Sequence, residues 1–302
     1  MKPKRHYNKQ PNIITKSTDD MTLIEKRIMY LVINQLDTGF NIKPDLFKNM
    51  EFQIAFNQLH ETNYNRIKSA VAKLQFRALT LIDDDDKKEF LRIIPFPSVS
   101  IKGGVIRLKM MADVVPYFLE IRKGFTKYEL AAALALTSVY AQKLYELLSR
   151  WKDKKEWFVS LVELQALLNA TNYTYKDFRV RCLETGLNEL NDKTDLTATY
   201  EVEKTGKSVS DIRFFINTKA TEAKETVEYE LNQIREMHPA EVAMYANNII
   251  HNYTFSETQR KSLLSDPALF EKFVELDSKL ANGVLTAKNP TAYIASILFV
   301  RK

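Results

Sequence analysis

The sequence predicts an α+β protein in which two segments that combine helices and strands precede a helical segment. Twice along the chain, apolar residues at helical spacing are followed by short alternating stretches, once before residue 124 and once before residue 218. A basic turn that contains Gly206 joins the last two alternating stretches. Helices that lead into a hairpin are the order of a winged helix-turn-helix. The predicted fold is therefore α+β, with tandem winged helix-turn-helix domains followed by a helical C-terminal region.

The chain has 302 residues, a length that favours about two domains over one. Its first residues are polar and basic, which predicts disorder. The four parts that we expect are a disordered basic tail (1–12), a first winged-helix domain (13–124), a second winged-helix domain (125–218) and a helical C-terminal region (219–302).

The first domain is predicted from three helices and a set of strands. Thr18 or Ser17 is expected to cap the first helix, in which apolar residues recur at helical spacing from Met21 onwards. Glycines 103 and 104 are expected to form a turn between two strands. The other helices are predicted around residues 52–59 and 64–79, and the strands at residues 79–82, 90–94, 99–101 and 105–108.

The second domain repeats this order. A long helix is predicted over residues 127–150. Ser160, with Glu163 three residues later, has capping-box spacing and is expected to start the next helix. The remaining elements are predicted as a helix at 161–168, a turn at 169–172, a helix at 175–191 and hairpin strands at 196–202 and 212–216.

Positive charge is concentrated in the two mixed domains. The chain holds 44 basic and 38 acidic side chains, a net charge of +6. Residues 219–302 contain ten of the basic and eleven of the acidic side chains, so residues 1–218 contain 34 and 27. A basic surplus confined to helix-turn-helix domains favours a DNA ligand, because contacts with phosphates supply much of the affinity for a duplex. The predicted partner is double-stranded DNA.

Three basic side chains lie in the first half of the helix predicted at 175–191, namely Lys176, Arg179 and Arg181. The N-terminal half of such a helix reaches the floor of the major groove, and the planar fork of arginine bonds guanine O6 and N7 together. These three residues are therefore the candidate base-reading side chains. Thr174 and Thr185 are further candidates, for contact with phosphate or with a thymine methyl group.

Other candidates lie on the analogous helix of the first domain and near the turns of the hairpins. Lysines at a wing tip meet phosphate, which adds affinity and salt dependence without reading sequence. The alternative that all these side chains form only a solvated surface stays open. The helix candidates are Asn65, Arg66, Lys68 and Lys73, and the turn candidates are Lys102, Lys204 and Lys207.

The sequence does not favour catalytic chemistry. A phosphate-binding P-loop needs a glycine five residues before Gly206, and that position is Glu201. Residues 83–86 are consecutive aspartates, but consecutive loop side chains point apart and two lysines follow, which favours a solvated loop over a metal site. The four histidines are scattered singly, without the His-hydrophobe-His element of nicking enzymes. We expect neither an enzyme nor a cofactor.

The cellular compartment is inferred from what the sequence lacks. A single cysteine, Cys182, excludes an internal disulfide, which is typical of a reducing compartment. No apolar run approaches the ~18 residues of a membrane helix, and the N-terminal residues lack the apolar core of a signal peptide. These features predict a cytoplasmic protein with no membrane contact.

Four sequence marks between residues 125 and 196 resemble those of a known family. They read FTKYEL, VYAQKLYELL, SLVELQALL and LNELNDKTDL. With them the chain resembles the theta-type plasmid replication initiators, which have two winged-helix domains and bind repeated origin sequences called iterons. The resemblance covers residues 12–218. It implies a monomer that helps open the origin, and a homodimer, joined through the first domain, that binds an inverted repeat at its promoter and represses its own gene.

Residues 219–302 are not covered by this resemblance. Their near-neutral charge and apolar helical stripes predict protein binding, with a host helicase, helicase loader or primase as the expected partner. Packing of the stripes on the rest of the chain is the alternative. Two other functions stay open for the whole chain: a transcriptional repressor without a role in replication, and a protein-interaction module.

Overall fold

The computed structural model describes residues 7–38, 49–82, 90–119, 124–236, 239–282 and 284–299. Contacts between residues divide the chain into one unit that ends at Asn217 and a second that starts at Thr218. The first unit contains both predicted winged-helix domains. Its elements as far as residue 119 are β1 (Tyr7–Pro11), α1 (Asn12–Thr15), α2 (Leu23–Thr38), β2 (Met50–Ala55), α3 (Tyr64–Leu74), β3 (Leu79–Ile82), β4 (Phe90–Ile93), β5 (Ser98–Lys102), β6 (Val105–Met110) and α4 (Val115–Leu119).

The second half of this unit places a hairpin after several helices. Its elements are β7 (Phe125–Glu129), α5 (Leu130–Ala135), α6 (Val139–Trp151), β8 (Glu156–Ser160), α7 (Leu161–Leu167), α8 (Tyr175–Phe178), α9 (Thr185–Lys193), β9 (Leu196–Thr205) and β10 (Ser208–Thr218).

The main sheet of the first domain has the strand order β2-β6-β5. Phe52 and Ile54 of β2 are buried, and Phe52 lies opposite Leu108 of β6. The prediction of a helix over residues 52–59 is therefore wrong for β2, because burial alternates with period two and β6 supplies the backbone partners. Only a 3-10 turn over Phe56–Leu59 is helical. The four strands predicted between residues 79 and 108 are confirmed.

The first long helix, α2, begins later than its predicted cap. The Ser17 hydroxyl donates to the carbonyl of Ile14 at 2.7 Å, and the backbone of Thr18 exchanges hydrogen bonds with that of Thr80. The helix begins only at Leu23, so neither residue lies at its N-terminus and the predicted cap is wrong. Instead, the carboxylate of Glu25 accepts the backbone N–H three residues earlier, at 2.9 Å.

Residues 7–11 form strand β1, so the prediction of a disordered tail is wrong for this segment. β1 pairs antiparallel with β7. Asn8 and Gln10 are buried; Asn8 donates to the carbonyl of Tyr30 at 2.9 Å, and Gln10 accepts from the Tyr128 hydroxyl at 2.7 Å. These two core-facing side chains of β1 are polar and hydrogen-bonded. The strand therefore lacks the alternation of apolar and polar residues from which a strand is predicted. The rest of the predicted tail lies outside the described residues.

The long helix predicted over residues 127–150 is divided into β7, α5 and α6. The backbone at Leu136 is extended, and the Ser138 hydroxyl accepts the first N–H groups of α6. The carboxylate of Glu189, on α9, accepts the backbone N–H groups of Thr137 and Ser138 at 2.8 and 2.9 Å. The single-helix prediction is wrong because these contacts satisfy the backbone of a break inside an apolar, periodic run.

The second domain carries a three-stranded sheet in the order β8-β10-β9. Both predicted hairpin strands are confirmed, and β8 is an additional strand that the sequence analysis did not predict. Ile212 and Phe214 of β10 are buried, and Trp157 of β8 stacks on Phe214 with ring centroids 5.4 Å apart. This sheet supports the hairpin that forms the wing.

The second unit is helical, which confirms this part of the predicted fold class. Its core residues include Leu263, Phe270, Phe273, Val274 and Ile294. The helices are α10 (Lys219–Glu236), α11 (Pro239–Ile250), α12 (Glu257–Ser265), α13 (Pro267–Ala281) and α14 (Pro290–Leu298).

Candidate DNA-binding surface

Two capping residues define the helix-turn-helix of the second domain. Ser160 caps α7, as its spacing predicts, by accepting the N–H of Glu163 at 3.2 Å. Asn169 adopts a left-handed conformation, with φ 50°, in the turn. Thr174 caps α8 by accepting the N–H of Asp177 at 3.3 Å, and its hydroxyl donates to the Asp177 carboxylate at 2.9 Å. Thr174 therefore positions the next helix, and its hydroxyl hydrogen is committed there.

We call residues 175–193 the reading helix; it consists of α8, a π-helical segment (Arg179–Glu184) and α9. Gly186 lies where α9 packs against α6: a Cβ atom there would be 2.7 Å from Leu144 Cδ1 and 3.3 Å from the backbone nitrogen of Ala141. Glycine therefore permits the close approach of the two helices. The buried inner face consists of Phe178, Cys182, Leu183, Gly186, Leu187 and Leu190.

The outer face of the reading helix carries the three predicted cations, Lys176, Arg179 and Arg181, all of them exposed. Arg179 Nε lies 3.5 Å from Glu184 Oε1, and Arg181 Nε lies 3.6 Å from Asp177 Oδ1. The two arginine side chains are 47% and 65% exposed. Ion pairs this long and exposed contribute little, so phosphate or guanine acceptors can replace the carboxylates at small cost.

Thr185 is also exposed, but its hydroxyl is already engaged. It donates to the carbonyl of Val180 at 2.8 Å, across the π-helical segment. Thr185 stays a candidate for contact with a thymine methyl group through its own methyl group.

The wing is the hairpin of β9 and β10. Gly206 forms its tip with φ 65°, a conformation that favours glycine. Lys204 and Lys207 flank this glycine, and both are exposed. Arg213, further from the tip, lies 2.9 Å from Glu156 and 2.9 Å from Glu203. The tip therefore presents the uncommitted positive charge that phosphate contact requires.

The first domain has a second helix with exposed polar residues, α3, which ends at Leu74 rather than at residue 79. Asn63 caps it by accepting the N–H of Arg66 at 3.2 Å. Arg66 Nη1 lies 3.0 Å from Glu61 Oε2; the N–H of Asn63 and then the charge of Arg66 lower the pKa of Glu61. The predicted contact residues Asn65, Arg66, Lys68, Lys73 and Lys102 are all exposed.

Comparisons with known proteins identify the family from both halves of this unit. Residues 7–149 match the family described as "Initiator Replication protein, WH1", and residues 160–216 match "Initiator Rep protein, WH2". The chain belongs to the plasmid replication initiators. It is also similar to the "PI protein" of Escherichia coli, with 25% identity over 254 residues that cover 70% of this chain and 81% of that protein. The resemblance and the fold class predicted from sequence are thereby confirmed, and the family is one of DNA-binding proteins.

The individual DNA contacts of this initiator stay predictions. The structure places all the predicted contact residues on exposed surfaces of the two helices and at the hairpin turns. The predicted boundary between residues 124 and 125 also stays a prediction; the first family match runs beyond it to residue 149, and the pairing of β1 with β7 crosses it.

A buried cluster of four charges joins the two halves of the unit. Lys26 Nζ, on α2, lies 3.4 Å from Asp19 Oδ2 and 3.3 Å from Glu146 Oε1. Lys143 Nζ, on α6, lies 3.7 Å from Glu146 Oε2 and donates to the carbonyl of Ser17 at 2.8 Å. We call Asp19, Lys26, Lys143 and Glu146 the ionic joint. Sequence analysis missed it, because lysine and glutamate on a helix normally indicate a solvated face.

Burial and attraction act in opposite directions on these groups. Burial alone would raise the pKa of Asp19, but attraction by Lys26 and Lys143 lowers it overall. Burial would lower the pKa of Lys26, but Asp19 and Glu146 raise it. For Lys143, desolvation outweighs its partners and lowers the pKa. Attraction by opposite charges therefore outweighs burial for Asp19 and Lys26, but not for Lys143.

The lowered pKa of Asp19 predicts a dependence of stability on acid. Its folded pKa lies below the unfolded value of about 3.9. Its stabilising contribution is therefore present above that unfolded value and is lost as pH falls through the folded pKa. We expect Asp19→Asn to flatten the acid limb of stability, measured by urea unfolding from pH 7 to pH 2.5. Asp113→Asn, at an exposed aspartate of the first domain, is the control. Equal profiles for all three proteins would contradict the assignment.

A change at the wing tests the predicted phosphate contacts of the initiator. Lys207→Ala should weaken binding to every DNA sequence similarly and reduce the slope of log K against log salt by about 1, because one fewer counterion is released. Fluorescence anisotropy titrations over a range of salt concentrations measure this slope. Lys272→Ala, an exposed lysine of the second unit, is the control. An unchanged slope for Lys207→Ala would exclude the contact.

The described residues form neither a membrane-spanning helix nor a metal site. Over those ranges, no helix is both long and apolar enough to span a bilayer. Nor do those residues bring three histidine, cysteine, aspartate or glutamate side chains together as a metal site. The aspartates at 83–86 lie outside the described residues.

Proposed function

We propose that this initiator binds iterons at a plasmid origin and helps open the origin, acting in the cytoplasm by binding alone, without a catalytic centre or cofactor. The outward cations of the reading helix carry the proposal, because the ion pairs that hold Arg179 and Arg181 are long and exposed. The reading helix enters one major groove, the wing meets phosphate and α3 enters a second groove. The bound site then spans about two helical turns.

Footprinting tests this assignment. The probe is the DNA that flanks the native gene, and the comparison duplex has the same bases in shuffled order. The initiator should protect directly repeated segments and bind them on the order of a thousandfold more tightly than the shuffled duplex at physiological salt. Equal affinity for the two duplexes would refute specific origin binding.

We infer further that a homodimer forms through the first domain and represses the initiator's own gene from an inverted repeat. Strand β4 lies at one side of the β3-β4 pair, and β5 lies at an edge of its sheet. Leu91 and Ile94, in and just after β4, are exposed apolar residues. An unpaired edge with apolar side chains is suited to pairing across a two-fold axis.

The dimer is best tested in the full chain, because β1 and the ionic joint tie the second half of the unit to the first. Light scattering of the wild-type protein should show a molar mass that rises from that of a monomer to that of a dimer as protein concentration increases. The double change Leu91→Glu and Ile94→Glu should leave a monomer that still binds iterons but no longer represses a promoter fusion. Phe158→Glu, at an exposed residue of β8, is the matched control and should still dimerise. A wild-type monomer at all concentrations, or a dimer in the double variant, would contradict the proposal.

We also propose that the second unit recruits a host helicase, helicase loader or primase. It has its own core and nearly balanced charge, and it exposes Tyr229, Met244, Leu264 and Ile297. A chain truncated after Asn217 should bind origin DNA normally but fail to maintain a plasmid. Loss of DNA binding, or normal plasmid maintenance, would overturn this role.

A further inference from the structure

One exposed apolar side chain stands among the cations of the reading helix. Val180 is 48% exposed, and no other large hydrophobic residue of the reading helix is exposed. It lies between Arg179 and Arg181 in the sequence. An isolated apolar surface residue usually needs no explanation. The position of Val180 among these cations of the reading helix does call for an explanation.

Val180 lies on the side of the reading helix that faces away from the core. Phe178 and Cys182 are fully buried, and Val180 is two residues from each, which is roughly half a helical turn. Lys176, four residues earlier, shares its face. Thr185 is tied to the same place by the hydrogen bond to the Val180 carbonyl. Val180 therefore lies in the middle of the exposed face of the reading helix.

The charges around Val180 select the kind of surface that it meets. Lys176, Arg179 and Arg181 surround it, so the complementary ligand is a polyanion rather than an apolar protein groove. Valine has neither donor nor acceptor, and its branched side chain keeps nearly one rotamer in a helix. In the major groove, the apolar feature of the base edges is the C5 methyl group of thymine.

We propose that Val180 packs against a thymine methyl group in the bound repeat and selects thymine at that position. This inference rests on the proposed function, since it needs the reading helix in the major groove. Arginines on either side bond guanine or phosphate, and Val180 adds discrimination that they cannot supply. Losing contact with one methyl group corresponds to about a fourfold loss of affinity.

Uracil replacement tests this contact directly, because deoxyuridine pairs like thymidine but lacks the C5 methyl group. The probe is a duplex of the footprinted repeat, with each thymine replaced by uracil in turn. Full-length wild type should lose affinity about fourfold at one position. Val180→Ala should lose a similar amount on the unmodified duplex and show no further loss with uracil at that same position.

Val162→Ala, the same change at an exposed residue of α7, is the control and should keep the full uracil effect. Thermal unfolding should show unchanged stability for both variants, since both side chains are exposed. If wild type binds the repeat specifically but uracil effects are identical with and without Val180, the inference is wrong and the proposed function stands. If wild type does not distinguish the repeat from shuffled DNA, both are wrong.

Discussion

Replacement of Glu146 by leucine is expected to lower the free energy of unfolding by about 3–5 kcal/mol. Glu146 accepts a hydrogen bond from the Tyr30 hydroxyl at 2.6 Å and from Lys26 at 3.3 Å, and it lies 3.7 Å from Lys143. Without it, two buried lysines face one buried carboxylate, that of Asp19. The cost is dominated by the charge left unpaired rather than by the attraction that is lost.

Urea unfolding monitored by circular dichroism measures this cost. Glu156→Leu is the matched control, because Glu156 forms an exposed ion pair with Arg213 and its loss should cost less than about 1 kcal/mol. Adding Lys26→Met to Glu146→Leu should recover part of the loss, since it removes one of the unpaired charges. Similar costs for the two glutamate variants would mean that the ionic joint does not stabilise the unit.

The parts of the fold that sequence predicted correctly have local causes. Ser160 caps α7 because its hydroxyl accepts the backbone N–H three residues later, a contact that needs no distant partner. Glycine at position 206 likewise permits the hairpin tip by itself. The strands of the wing alternate because one face of their sheet is buried.

The elements that sequence missed depend on distant partners. β1 is a strand because Tyr30 and Tyr128, far along the chain, bond its polar side chains. The helix predicted over residues 127–150 breaks where Glu189 accepts the backbone N–H groups. Neither partner can be found from local periodicity.

The same limit applies to the candidate site. Exposed arginines on a helix after a turn are predictable, because their role follows from position. Lys143 and Glu146 have the same residue types and spacing as a solvated pair, yet they are buried. The π-helical segment, with the hydrogen bond from Thr185 to the Val180 carbonyl, was also not predicted. This segment determines which side chains share the exposed face of the reading helix.

Arg179→Ala and Arg181→Ala are each expected to weaken binding to the repeat by about 1–3 kcal/mol, with a much smaller effect on shuffled DNA. The reason is geometric: each guanidinium is exposed at the N-terminal half of the reading helix, and the planar fork can bond guanine O6 and N7 together. The carboxylates that now hold these arginines are weak competitors, so releasing them costs little.

Anisotropy titrations with the footprinted repeat and with shuffled DNA separate base reading from charge. Arg213→Ala is the matched control, because Arg213 is also exposed in the second domain but is held between Glu156 and Glu203. If the two reading-helix arginines contact bases, their variants lose discrimination between the duplexes, and changing the contacted guanine costs them nothing further. If they supply only positive charge, both duplexes weaken equally and the salt slope falls for each. That second pattern would remove base reading from these residues and leave them as phosphate contacts.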